Sequence, residues 1–146
     1  MLTWKGASIA GLVTIVPCLA WLFFDRALLG NGPVTIGIQV AALALMIWAR
    51  ITFGSRSFHA VANPTEGGLV TNGPYRYIRH PIYAAVLYVL WAGIAAHPSI
   101  AHACVALIAT AGLAVRMLAE EALVVVRYQE YADYARRTRR IVPFLF

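Results

Sequence analysis

The eleven residues from Gly73 to Tyr83, Gly-Pro-Tyr-Arg-Tyr-Ile-Arg-His-Pro-Ile-Tyr, gather three cations and three phenols inside a strongly apolar chain. Further along, Arg116 is followed by Glu120 and Glu121, the only adjacent carboxylates in the sequence. Charged groups at the edge of a bilayer cost several kcal/mol unless they are paired or solvated, so by default they mark function. Together the two segments supply cations, carboxylates and aromatic surface, and they read as a site rather than a linker. Cys18 and Cys104 sit inside apolar runs without CxxC or Cys/His spacing. They read as small packing residues rather than metal ligands or a disulfide, and no metal is expected.

The elements that must position these groups are membrane helices. The chain has 146 residues, 61% hydrophobic and 12% charged. That leaves too little polar surface for a soluble globule and room for one domain. Ala7 to Phe24 and Pro33 to Ala49 are uncharged runs near the lower limit for crossing a hydrocarbon core of about 30 Å. The first exceeds a secretion-signal core, lacks a small-residue cleavage site and is expected to be retained; Pro17 should kink it. Ile82 to Val115 carries no formal charge and at about 1.5 Å per residue is roughly 51 Å long, too long for one crossing. Proline disfavours helix in the residue before it, which places the break at His97-Pro98-Ser99. The expectation is an all-α integral membrane bundle, residues 1–146 as one domain. Its four spans lie near 7–24, 33–49, 82–96 and 99–118, with a loop at 50–81 and a tail at 119–146.

Charge sets the orientation. The loop carries Arg50, Arg56, Arg76 and Arg79, and the tail Arg127, Arg136, Arg137, Arg139 and Arg140, nine of the twelve Lys and Arg. By the positive-inside rule the loop, the tail and Lys5 face the cytoplasm, and so does chemistry built from them. The net charge of +6 comes without a nucleic-acid motif, so anionic headgroups rather than nucleic acid are the expected partner. The run Arg136 to Arg140 reads as a headgroup-binding face. His97 and His102 fall near the opposite turn and receive no role. Tyr128, Tyr131 and Tyr134 read as an interfacial aromatic face with some lid packing.

Gly54, Pro64, Gly67, Gly68, Gly73 and Pro74 break the loop repeatedly, which predicts an ordered irregular segment with short helices at most. Pro81 suits the first turn of span three, whose free backbone donors favour an anion, and Tyr83 lies on that turn. Good helix formers continue from Val115 to Gln129, so the fourth helix runs past the membrane. Arg116 and Glu120, at i and i+4, share a face, while Glu121 is rotated by about 100°. One carboxylate can meet the arginine while the other points elsewhere.

These strings resemble the isoprenylcysteine carboxyl methyltransferase family and its phospholipid N-methyltransferase relatives. The resemblance begins near Arg56-Ser57-Phe58 and strengthens through Leu69 to Tyr77 and Arg79-His80-Pro81-Ile82-Tyr83. It resumes at Arg116 to Glu121 and ends with the tyrosines before Arg140-Ile141-Val142-Pro143. It implies an S-adenosylmethionine-dependent membrane enzyme whose cofactor is enclosed by the cytoplasmic loop and the C-terminal helix. On that reading Gly73, Tyr75, His80, Tyr83, Glu120 and Glu121 bind the cofactor, and Arg79 or Arg116 orients an anionic acceptor. The acceptor is a lipophilic small molecule or lipidated group entering between helices, most simply an isoprenylcysteine-like carboxylate. Phospholipid amines or small thiols are the alternative acceptors. Three rivals stand beside this reading. One is a non-catalytic helical assembly protein on the same scaffold. Another is a channel or transporter subunit, for which Gln39 is the obvious midplane polar residue. The third is a membrane reductase lacking the Rossmann glycine fingerprint.

Overall fold

The computed structural model describes residues 2–54 and 68–142. Arg56-Ser57-Phe58, Pro64, Gly67 and Pro143, used in the sequence reading, lie outside the described residues. Within them the chain is helical: α1 (Leu2–Phe24), α2 (Pro33–Phe53), a short 3-10 helix (Gly73–Arg76), α3 (Pro81–Ala96), α4 (Ile100–Arg127) and α5 (Tyr131–Arg137). Proline at the first position starts both α2 and α3, where its missing N–H costs nothing. Pro17 sits inside a helix that continues to Phe24. Arg26 adopts a left-handed backbone, φ 59°, and turns the chain so that the N–H groups of Ala27 and Leu28 both reach Leu22 O. The long apolar run breaks between Ala96 and Ile100, across His97, Pro98 and Ser99.

Helices α1, α2 and α4 are long and apolar enough to cross a membrane; α3 is a shorter apolar helix of 16 residues. Their outward faces expose Val13, Val34, Val40, Leu43, Ile51 and Leu107, an apolar surface suited to lipid rather than water. Helix α1 packs along α4 and α2 along α3. Two glycines sit at close backbone approaches, one where α1 meets α4 and one where α3 meets the α1–α2 turn. A Cβ on Gly11 would lie 2.6 Å from Gly112 O, and one on Gly93 only 2.3 Å from Leu28 O, so the backbones approach as only small residues allow. The buried core of Leu22, Ala27, Leu90, Ile94, Ala106 and Ala109 joins α1, α3 and α4 toward their α1–α2 and α3–α4 turns.

Those turns are tied together. His102 Nε2 lies 2.7 Å from Asp25 Oδ2, its Nδ1 lies 2.8 Å from His97 O, and His97 Nε2 donates to Leu29 O at 2.9 Å. The two histidines without a sequence role therefore lock one end of the bundle. Gln39 does the same nearby. Its amide donates to Leu28 O and Val89 O at 2.8 and 3.0 Å and accepts from Gly30 N–H at 2.9 Å. Its polar atoms are spent inside the fold, which removes the residue on which a channel reading would rest.

Candidate functional site

The opposite end holds the chemistry, and the C-terminal segment builds it. Ile78 and Arg139 form an isolated parallel bridge. Arg79 N–H donates to Arg139 O at 2.7 Å, His80 N–H to Arg140 O at 3.0 Å, and Arg139 N–H to Tyr77 O at 3.1 Å. These bonds lay the tail beside the residues that start α3. Arg79 clamps it there: Nη1 donates to Ala135 O at 2.9 Å and Thr138 O at 2.7 Å, while Nε donates to Glu121 Oε1 at 3.0 Å. Tyr134 donates to Tyr75 O at 2.8 Å and Tyr88 to Ile141 O at 3.1 Å. Tyr131 and Tyr134 are buried. They are packing residues of this docked tail, so for these two the expected lid packing, rather than an exposed interfacial face, describes the burial, while Tyr128 is half-buried. Burial pushes the phenols of Tyr75, Tyr131 and Tyr134 well above the ordinary tyrosine value.

Glu121 is the electrostatic centre. Its carboxylate accepts from Arg79, from His80 Nε2 at 3.1 Å and from Arg140 Nη2 at 3.0 Å. Three cationic or protonatable side chains converge on one anion that is 12% exposed, a geometry that justifies burial because each lone pair finds a donor. A carboxylate only accepts, so Nε2 is the donor in the His80 bond. The His80 ring stacks on Tyr83, centroids 5.5 Å apart and planes 13° apart.

Glu120 faces the other way, as the rotation between adjacent helix positions requires. It accepts from the Tyr83 hydroxyl and meets Arg116 Nε at 3.4 Å. Arg116 Nε also donates to Tyr83 Oη at 2.8 Å, and its Nη1 reaches Ser8 O on α1 at 3.3 Å. An arginine 6% exposed thus links α1, α3 and α4. Beside this triad a cavity of about 320 Å³ opens between α3 and α4, lined by Tyr83, Leu87, Thr110, Leu113, Ala114, Met117, Leu118, Arg140 and Ile141. Its polar groups are Tyr83 and Arg140 at one end and the Thr110 hydroxyl at the other.

The structure therefore brings Arg79, His80, Tyr83, Arg116, Glu120 and Glu121 into one cluster. The guanidinium of Arg79 is committed to the tail, and that of Arg116 to Tyr83, Glu120 and Ser8. Tyr75 is buried against Phe53, ring centroids 5.4 Å apart. Gly73 has φ +56°, and a Cβ there would lie 2.6 Å from Thr52 Oγ1; its glycine is explained by the turn and the close approach. The expected headgroup face is divided: Arg136, Arg137 and Arg139 are exposed, but Arg140 turns inward to Glu121 and the cavity. Tyr88, Thr138 and Ser8 escaped the sequence reading, and Arg140 entered it only as a headgroup-facing cation and as the end of the resemblance, not as a site residue. The surplus of cations over carboxylates near Glu121 was the signal available for Arg140.

The model of the isoprenylcysteine carboxyl methyltransferase family matches residues 35–126. No curated protein and no solved structure matches the chain. The matched stretch runs from the first turn of α2 through α4 and contains both the Arg79 to Tyr83 string and the Arg116 to Glu121 string. Carried on long apolar helices, these make the protein an integral membrane methyltransferase, a member of the isoprenylcysteine carboxyl methyltransferase family.

Proposed function

We propose that the protein transfers a methyl group from S-adenosylmethionine to the carboxylate of a lipophilic, isoprenylcysteine-like acid at the cytoplasmic face of the membrane. The observation that carries this reading is the cavity between α3 and α4, apolar along its walls and polar at the end where Tyr83 and Arg140 line it. A lipophilic acid needs that combination: apolar surface for its tail and a charged end for its carboxylate. The orientation is supported by Arg50, Arg76, Arg79 and the arginines of the tail, which gather with Lys5 at one end of the bundle.

The donor set suits the cofactor. S-adenosylmethionine carries a carboxylate, an ammonium, a diol and an adenine face, and the cluster offers a cation in Arg140, an acceptor in Glu120, and the stacked rings of His80 and Tyr83. When bound, the cofactor supplies an electrophilic methyl whose bonding pair leaves with the sulfonium sulfur, so the acceptor oxygen gains an O–CH3 bond. A carboxylate acceptor is already the nucleophile, and no residue has to remove a proton. The chain's work is positioning. Arg116 holds Tyr83 and Glu120 in register, Glu121 and Arg79 keep the tail docked, and the apolar walls exclude water from the reacting end.

The test is methyl transfer from labelled S-adenosylmethionine by detergent-purified protein, offered lipophilic acids, phospholipid amines and small thiols in parallel. Label recovered as a base-labile ester from the acids supports the proposal. Transfer only to amines or thiols would replace the acceptor class, and no transfer with no cofactor binding would favour a non-catalytic scaffold.

A further inference from the structure

Two side-chain bridges cross from α3 to α4, and the cavity lies between them. At one end are Arg116, Tyr83 and Glu120. At the other, Trp91 Nε1 donates to Thr110 Oγ1 at 3.2 Å, while the Thr110 hydroxyl donates to Ala106 O at 2.7 Å. Tyr83, Leu87 and Trp91 recur at i, i+4 and i+8 and share one face of α3; Leu118, Ala114 and Thr110 do so on α4, running the opposite way. The bridges are therefore separated by about two helical turns, roughly 12 Å at 1.5 Å per residue. Leu87, Leu113, Ala114, Met117 and Leu118 wall the space between them. At and beyond Trp91 the helices close on Leu90, Ile94, Ala106 and Ala109. The space thus has a polar mouth, apolar walls and, at its far end, the Thr110 hydroxyl to which the Trp91 indole is bonded. An indole N–H facing lipid needs a partner; the Thr110 hydroxyl supplies it and fixes the ring where the cavity ends.

We infer that the Trp91–Thr110 bridge is the floor of the acceptor site and sets the length of lipophilic tail the site takes. The inference rests on the acceptor reading proposed above. A tail longer than the space between the bridges has to turn out between α3 and α4 at Trp91, giving up wall contact, so shorter prenyl chains are preferred. Apolar pockets discriminate by roughly 10-fold to 200-fold per methylene, enough for one indole to decide between chain lengths.

The experiment compares kcat/KM for geranyl, farnesyl and geranylgeranyl derivatives of N-acetylcysteine in wild type, Trp91→Ala and Thr110→Val. Removing the indole is expected to raise the geranylgeranyl-to-geranyl ratio by about tenfold. Thr110→Val, nearly isosteric and so kept folded, frees the ring and raises the ratio by a smaller factor. An unchanged ratio in both folded variants overturns the inference. If wild type methylates none of the series, the acceptor reading has failed, and fluorescence decides the floor separately. Derivatives brominated at the tail end should quench the emission lost in Trp91→Phe more strongly than derivatives brominated beside the head. Equal quenching by the two overturns the floor.

Discussion

Tyr83 is the residue on which the triad turns, because its hydroxyl both accepts from Arg116 and donates to Glu120. Tyr83→Phe removes that one oxygen and leaves the ring stacked on His80. Losing a hydrogen bond to charged partners costs about 1.5–3 kcal/mol, so methyl transfer should fall by roughly tenfold to a hundredfold while the purified protein keeps its helical circular dichroism. Arg79 tests a different role. Arg79→Lys keeps the charge but gives up the fork that reaches Glu121, Ala135 O and Thr138 O together. The tail should loosen, read as faster protease cleavage after Arg136 or Arg137 with α1 to α4 intact; an unchanged cleavage rate would mean that the backbone bonds alone hold it. At this scale the sequence was informative wherever charge was scarce. Arg116 and Glu120 were legible as a pair from helical spacing, and Glu121 as the carboxylate facing elsewhere. Arg140 was not, because its direction depends on a backbone bridge between residues far apart in the chain, which no local pattern encodes.

Among the elements, the break between α3 and α4 was legible because a proline and the limit on span length both demanded it. The docking of α5 was not, since tyrosines at three-residue spacing suit a membrane interface as well as a buried face. Small residues let backbones approach closely, between α1 and α4 at Gly11 and between α3 and the α1–α2 turn at Gly93. Gly93→Ala would place a Cβ 2.3 Å from Leu28 O, a backbone atom that cannot move aside like a side-chain tip. Overpacking of this kind costs about 1–3 kcal/mol, and the variant should melt several degrees lower in detergent. Gly37, whose Cβ would meet nothing within 4 Å, is the control: Gly37→Ala should leave the melting temperature unchanged or raise it slightly. Equal loss in both variants would remove the packing argument for Gly93.

Taken whole, the molecule has two unlike ends. Histidines, Asp25 and Gln39 lock one end by hydrogen bonds; at the other, α3 and α4 stand apart around a cavity roofed by the docked tail. On the proposed function, this cavity between α3 and α4 would let a lipid-dissolved acceptor enter sideways. The all-helical membrane class was legible from composition and run length, whereas the pairing of α1 with α4 and α2 with α3 was not, because apolar faces in lipid do not name their partners. The most direct test of the account is calorimetric binding of S-adenosylmethionine to detergent-purified wild type and Glu120→Gln, a variant of nearly the same shape without the charge. The account predicts saturable binding by wild type, weakened about tenfold or more in the variant. Well-folded wild type that binds no cofactor, or a variant that binds it equally well, would contradict the assignment of this cluster as the methyltransferase site.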